Sequence, residues 1–185
     1  MATLLVCSLG INLLLARRVV SLKLLVGTMK SEAQLAAGDK VAGITARDAQ
    51  GNIAVLDYRS TSVPTVLFVI SPTCGWCTKN IMNMRALTEQ AGDRYRFVGL
   101  SLSSDKLGEY VAKNKLPFTV YADLPYAPLR DYKLGGTPQT IVVSPNGEII
   151  KVWSGAFAGN LQKDVEAFFD VNLPGVMDPE KALNE

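Results

Sequence analysis

Residues 65 to 71, "TVLFVIS", constrain the fold of this chain more than any other stretch. A continuous run of β-branched and aromatic residues, with no polar alternation, reads as a strand buried on both faces. Such a strand needs a covering layer on either side of its sheet. The pattern then changes abruptly. After "SPTCGWCTKN", Ile81, Met84 and Leu87, with Ala86 and Ala91 nearby, recur at helical spacing to about Gly92. A buried strand that feeds straight into a helix is the repeating unit of an α/β sheet, and such sheets carry their chemistry at the C-terminal ends of the strands.

The rest of the chain continues the alternation. "VAGITARD" and "NIAVLDY" flank "AQGN" and predict a β-hairpin over roughly 41 to 58. "YRFVGLSLSS" is a second buried strand. The amphipathic helix "SDKLGEYVAKNKL" follows, with Ser104 or Asp105 as its cap. "FTVYAD" is a short strand and "PYAPLRDYKL" a short helix that stops at Gly135 and Gly136. "TIVVS", the turn "PNGE" and "IIKVWSG" form a late hairpin, and "NLQKDVEAFFDVNL" closes the domain with Leu161, Val165, Phe168 and Phe169 on one face. Early β–α alternation and a late antiparallel hairpin predict a mixed central sheet with helices on both faces, plus an extra N-terminal hairpin. The domain is expected over 41–173, after a polar linker at 29–40 ("MKSEAQLAAGDK") and before a loose tail at 174–185.

Composition removes several functions. The 185 residues carry a net charge of +2, which provides no basic field for nucleic acid. Histidine is absent, so there is no Ser-His-Asp or Cys-His catalysis and no histidine-bound zinc or haem. Three cysteines cannot fill a four-thiolate zinc site within one chain, and Thr78 stands where a haem attachment motif needs histidine. The one metal reading left open is a two-coordinate Cu(I) site.

Residues 2 to 16, "ATLLVCSLGINLLLA", are uncharged and end at Arg17 and Arg18. That length gives ~22 Å of helix against a hydrocarbon core of ~30 Å, and snorkelling arginines could let a helix ending near Val20 just span it. Residues 1–28 are therefore expected to be a membrane anchor, with a signal segment or a buried helix as the alternatives. Cys7, within it, reads as a small apolar residue. Arg17, Arg18 and Lys23 on the C-terminal side would hold the following domain in the cytoplasm by the positive-inside rule.

Cys74 and Cys77 fall at the expected strand-to-helix junction. Unpaired backbone N–H groups at a helix start favour an anion, and a thiolate on Cys74 is such an anion. Cys77, one turn on, is placed to resolve a mixed disulfide formed at Cys74. Gly75 and Trp76 between them add no positive charge. Trp76 offers an apolar lid and docking surface, or else packs against the domain as an ordinary helix residue. In "GGTPQTIVV", Thr137–Pro138 directly precedes a strand, where an X-Pro bond can adopt cis at modest cost.

With these residues in place the chain resembles membrane-anchored thioredoxin-like oxidoreductases of the TlpA/ResA type over roughly 38 to 172. "FVISPTCGWC" and "TPQTIVVSPNGEI" carry the likeness. The apolar N-terminus together with "FVISPTCGWC" is similar more specifically to the MauD type. The resemblance implies a thioredoxin-like fold and an extracytoplasmic domain, against the arginine argument. It implies thiol-disulfide exchange by Cys74 and Cys77 with protein thiol or disulfide substrates and a redox partner protein, with no bound cofactor. Thr137 and Pro138, in the family's cis-proline loop, would present the substrate chain beside Trp76. Two positions depart from the pattern. Thr73 replaces the usual Trp before the first cysteine, and Phe68 occupies the place of a buried acid. Two rivals stand beside this reading. One is a peroxiredoxin-like peroxidase, since Ser71 sits three before Cys74 although Leu67 replaces that motif's proline. The other is a membrane-tethered binding module with a structural disulfide.

Overall fold

A computed structural model describes residues 12–22, 34–48 and 50–177 of the chain. It divides into two compact units, residues 1–35 and 36–185. In the first, residues 12–22 form a helix, α1, whose Leu13, Leu14, Leu15, Val19, Val20 and Leu22 are exposed. Among the described residues no helix is long and apolar enough to cross a membrane. The remainder of the expected anchor, including Cys7, lies outside the described residues.

The second unit is built on a seven-stranded sheet in the order β2-β1-β5-β4-β3-β6-β7. The strands are β1 (Ile44–Asp48), β2 (Ile53–Leu56), β3 (Thr65–Ile70), β4 (Arg96–Ser101), β5 (Val120–Ala122), β6 (Gln139–Val143) and β7 (Ile149–Ser154). The three consecutive strands β3, β4 and β5 are parallel, and the two hairpins β1–β2 and β6–β7 extend the sheet antiparallel at either side. All six residues of β3 are buried, as an apolar run at the sheet centre requires.

Alternation along β3 divides the core. Val66, Phe68 and Ile70 join Val142 of β6 in a cluster with side chains from helices α2 (Gly75–Lys79), α3 (Ile81–Ala91), α4 (Leu107–Asn114) and α6 (Gly159–Phe169). Leu67, Val69, Leu100 and Ile141 alternate with these and are equally buried, so the opposite face is covered too. Between α4 and α6 the short helix α5 (Tyr126–Asp131) lies on the connection from β5 to β6. Just past it, buried Tyr132 donates to the Ala42 carbonyl (2.5 Å) and accepts from the Tyr58 hydroxyl (2.5 Å), tying that connection to the start of the first hairpin.

Four expectations need correction. The single helix from Cys74 to Gly92 is two helices, because buried Asn80 turns its side chain inward. Asn80 Oδ1 accepts from Asn83 Nδ2 (2.9 Å) and from the Phe157 N–H (2.9 Å), and the backbone bends there (φ −89, ψ −3). Neither Ser104 nor Asp105 caps α4. Its N-cap is Lys106 in the left-handed conformation (φ 54), with no side-chain bond. The linker ends before 36, since Gly38 N–H donates to Ile149 O (2.9 Å) and Val41 N–H to Gly147 O (2.8 Å), lacing this segment to the start of β7 and the turn before it. The tail is not loose from its start. Gly175 N–H donates to Asn83 Oδ1 (2.8 Å) and Met177 N–H to Lys79 O (3.3 Å).

Candidate functional site

Strand β3 ends at Ile70, and Ser71 O accepts the Cys74 N–H (3.0 Å), so a tight turn delivers Cys74 to the mouth of α2. Cys74 is the N-cap of that helix. Its backbone is extended (φ −85, ψ 107) and its Sγ accepts the Cys77 N–H at 3.1 Å. Because α2 has only five residues, the Cys77 N–H is a local contact to Cys74 Sγ and not the end of a long summed helix dipole. The same sulfur donates to the Thr137 carbonyl at 3.6 Å, a contact that a thiolate would give up.

The two cysteines, both free thiols, sit in opposite environments: Cys74 is half-buried and Cys77 has no exposed surface. Burial pushes the Cys77 thiol up to about 12. The Cys74 thiol adds to that shift, while the Ser71 backbone and Thr137 side chain oppose it. Trp76 between them is 59% exposed, with Lys79 Nζ 5.1 Å from its ring centroid. Trp76 is thus not a core residue.

The structure also brings the second predicted segment to this place. The Thr137–Pro138 peptide is cis, and Thr137 touches Cys74 directly. Pro138 itself is buried, and its carbonyl accepts from Gly155 N–H (2.8 Å). Thr137 is half-buried, and Gly135 and Gly136 before it are exposed. Ser71 and Thr73 share a hydroxyl–hydroxyl hydrogen bond of 3.0 Å at the rim. Phe68 is 1% exposed and packs in the cluster with Cys77, where an acid would otherwise sit.

Two features escaped the sequence reading. Asn80 and Asn83 anchor the base of the site through Phe157, and Tyr110 of α4 joins the Cys77 cluster. The asparagines lie at helical spacing in an apolar run, a pattern that could have flagged a buried polar pair. No local signal marks Tyr110, because only the β4–α4 crossover brings it near.

Residues 37–152 match the model of the AhpC/TSA family. The chain belongs to that family. This AhpC/TSA chain is also 28% identical to a thioredoxin-like protein of Haemophilus influenzae over 120 residues, 63% of this chain and 70% of the relative. Among solved structures it is similar to the thioredoxin domain of a thiol-disulfide oxidoreductase from Bacteroides vulgatus. That match has 23% identity and a TM-score of 0.61, covering 74% of this chain and 99% of the other. It is likewise similar to the peroxidoxin BcpB of Mycobacterium tuberculosis, with 19% identity and a TM-score of 0.57, covering 72% and 94%. At these identities the structures establish the thioredoxin-like fold, as the sequence predicted. The family and fold together make the chain a thioredoxin-like member of the AhpC/TSA family.

Proposed function

We propose that the chain is a thiol-disulfide oxidoreductase that exchanges a Cys74–Cys77 disulfide with protein partners. Cys74 attacks and Cys77 resolves. Thr137, held by the Pro138 turn, lies against the incoming chain, and Trp76 widens the contact. The observation that carries this reading is the asymmetry of the pair. One sulfur is half-exposed and receives an N–H bond, while the other is fully buried beneath it. An accessible sulfur can meet a partner, and a hidden one can act only after that partner is attached.

The resemblance to the TlpA/ResA and MauD types supports a finer version, in which residues 1–28 tether the domain on the extracytoplasmic side of a membrane. Titrating the full-length protein in a series of redox buffers, with thiol alkylation as readout, tests the exchange. A reversible couple near the roughly −270 mV of thioredoxin marks a reductant, and one near the roughly −120 mV of DsbA marks an oxidant. The absence of any reversible couple sinks the reading.

A second reading is favoured by the family description and by Ser71, whose hydroxyl stands at the site rim bonded to Thr73. It makes Cys74 a peroxide-reducing thiolate. Peroxide consumption by the reduced protein separates the two: saturable turnover supports peroxidase chemistry, and inertness leaves disulfide exchange.

A further inference from the structure

The walls of the site come from two distant parts of the chain. One is the turn into α2, which carries Cys74 and Cys77. The other is the Thr137–Pro138 segment, whose Thr137 carbonyl accepts from Cys74 Sγ at 3.6 Å. The sheet reaches only the edge of this second wall. The ladders that hold β6 end at Gln139, which faces Val69 of β3 and Ser154 of β7, so Thr137 and Pro138 lie beyond the last pairs. A Cβ at Gly135 or Gly136, just before them, would meet nothing within 4 Å. Pro138 is buried, and Gly155 N–H donates to its carbonyl (2.8 Å).

Gly155 belongs to the loop between β7 and α6, and that loop is held from the cysteine side. Phe157, fully buried, offers its N–H to Asn80 Oδ1 (2.9 Å) and its carbonyl to Asn83 Nδ2 (3.1 Å). Asn83 Nδ2 also donates to Asn80 Oδ1 (2.9 Å), so the two amides close on one residue of the loop. Asn80 is likewise the C-cap of α2, and its N–H donates to Cys77 O and Trp76 O at 3.1 Å each. The residue that ends the cysteine helix thus also holds the opposite wall. Both asparagines are buried, beside Ile81, Met84 and Leu87 of the core. Apolar side chains there would bury the helix as well. Satisfied hydrogen bonds in the interior do more, because an amide shifted out of register leaves its partners unpaired.

We propose that Asn80 and Asn83 are positioning residues for the exchange. Their clasp on the Phe157 backbone, carried through Gly155 to Pro138, sets the gap between Cys74 Sγ and the Thr137 carbonyl. The inference rests on the exchange reading above. In that reading the Cys74 thiolate attacks one sulfur of a partner disulfide. The bond between the partner's two sulfurs breaks, and the second sulfur leaves as a thiolate that takes up a proton. The Cys74 thiolate has no hydrogen to give Thr137 O, so the partner backbone enters against a wall held at fixed spacing. Neither asparagine takes part in the chemistry.

The test uses reduced full-length protein carrying Cys7→Ser and two probes that release the same chromophore. Dithiobis-nitrobenzoate needs no docking. A cysteine peptide activated as its mixed disulfide with thionitrobenzoate must lay its backbone along Thr137. In Asn83→Leu, a side chain of similar size without the amide, the small reagent reacts within about twofold of the parent rate. The peptide reacts about tenfold slower, since a displacement of about 1 Å costs up to about 100-fold where alignment matters. Amide exchange at Gly155 speeds up by about tenfold, while the amides of β3 and β4 keep their protection. A second variant replaces the Phe157 amide N–H by an ester oxygen. It leaves both asparagines and the Gly175 N–H bond to Asn83 Oδ1 (2.8 Å) in place, and it shows the same split between probes. If Asn83→Leu does not fold, the ester variant decides alone. A merely structural role would slow both probes alike and loosen amides throughout the domain. That pattern, or parent rates with both probes, overturns the proposal and leaves the exchange reading standing. A parent protein that reacts with the probes yet never forms the Cys74–Cys77 disulfide overturns the exchange reading itself, and this inference with it.

Discussion

Trp76 leaves most of its indole in water one position before a fully buried thiol, and Lys79 is its near neighbour. An exposed cation–π pair contributes about 0.5–1 kcal/mol, so Trp76→Ala should cost no more than that in unfolding experiments. Under the proposed exchange its effect belongs to recognition. Reduction of a small linear disulfide should proceed at the parent rate, while reduction of a protein disulfide slows several-fold. An equal loss on both substrates would refute a docking role. The cysteines predict a sharper contrast. Cys77→Ser should accumulate a stable mixed disulfide with protein substrates on non-reducing gels, and Cys74→Ser should form none. If instead Cys74→Ser trapped the partner, the assigned order of attack would be reversed. The positions of these side chains were readable because they depend on local features: a strand end, a helix start and the spacing between two sulfurs. The burial of Pro138 was not readable, because it depends on Gly155 at the far end of β7 taking the proline carbonyl.

Between α2 and α3 the amphipathic pattern is unbroken, yet the helix bends. Ile81, Met84 and Leu87 sit where the sequence placed them, and Asn80 supplies the discontinuity by accepting the Phe157 N–H from the loop before α6. Periodicity reports which face of a helix is apolar. It does not report that an amide on that face will bond a distant backbone group. The same limit explains the expected tail, whose Gly175 N–H finds Asn83 Oδ1. Removing the Asn80 side chain strands the Phe157 N–H in the interior and deprives Asn83 Nδ2 of one of its two acceptors. Each buried group left unsatisfied costs about 1–3 kcal/mol, so Asn80→Ala should lose about 2–4 kcal/mol by urea denaturation. It should also alter exchange kinetics, because α2 and its cysteines rest on this junction. A loss under about 0.5 kcal/mol would show that the network is not a structural support.

The whole molecule carries a group of buried acids that the fold holds in their protonated forms. Burial raises the thiol of Cys77 from an ordinary value of about 9, and the phenols of Tyr58, Tyr110 and Tyr132 from about 10. The sequence placed these residues on the helices and connections of a mixed α/β domain, but their coupling to stability emerges only when the domain closes over them. In each case the unfolded chain releases a proton that the folded chain retains. Stability is therefore undiminished below about pH 9 and falls as pH rises through the range between the unfolded and folded values. One such group contributes a slope of up to about 1.4 kcal/mol per pH unit, so above about pH 10 the four together approach about 5 kcal/mol per unit. Against a typical total of about 5–15 kcal/mol, that slope brings unfolding within one to three pH units, roughly. Urea midpoints measured at steps between about pH 7 and pH 12 should hold steady and then drop steeply above about pH 10. Replacing Cys77 by Ser should remove the earliest part of the fall, between about pH 9 and pH 10, and leave the tyrosine-driven part in place. A midpoint constant to pH 11 would mean that these hydroxyls and this thiol ionise within the folded protein, and the closed interior described for both faces of the sheet would have to be open to water.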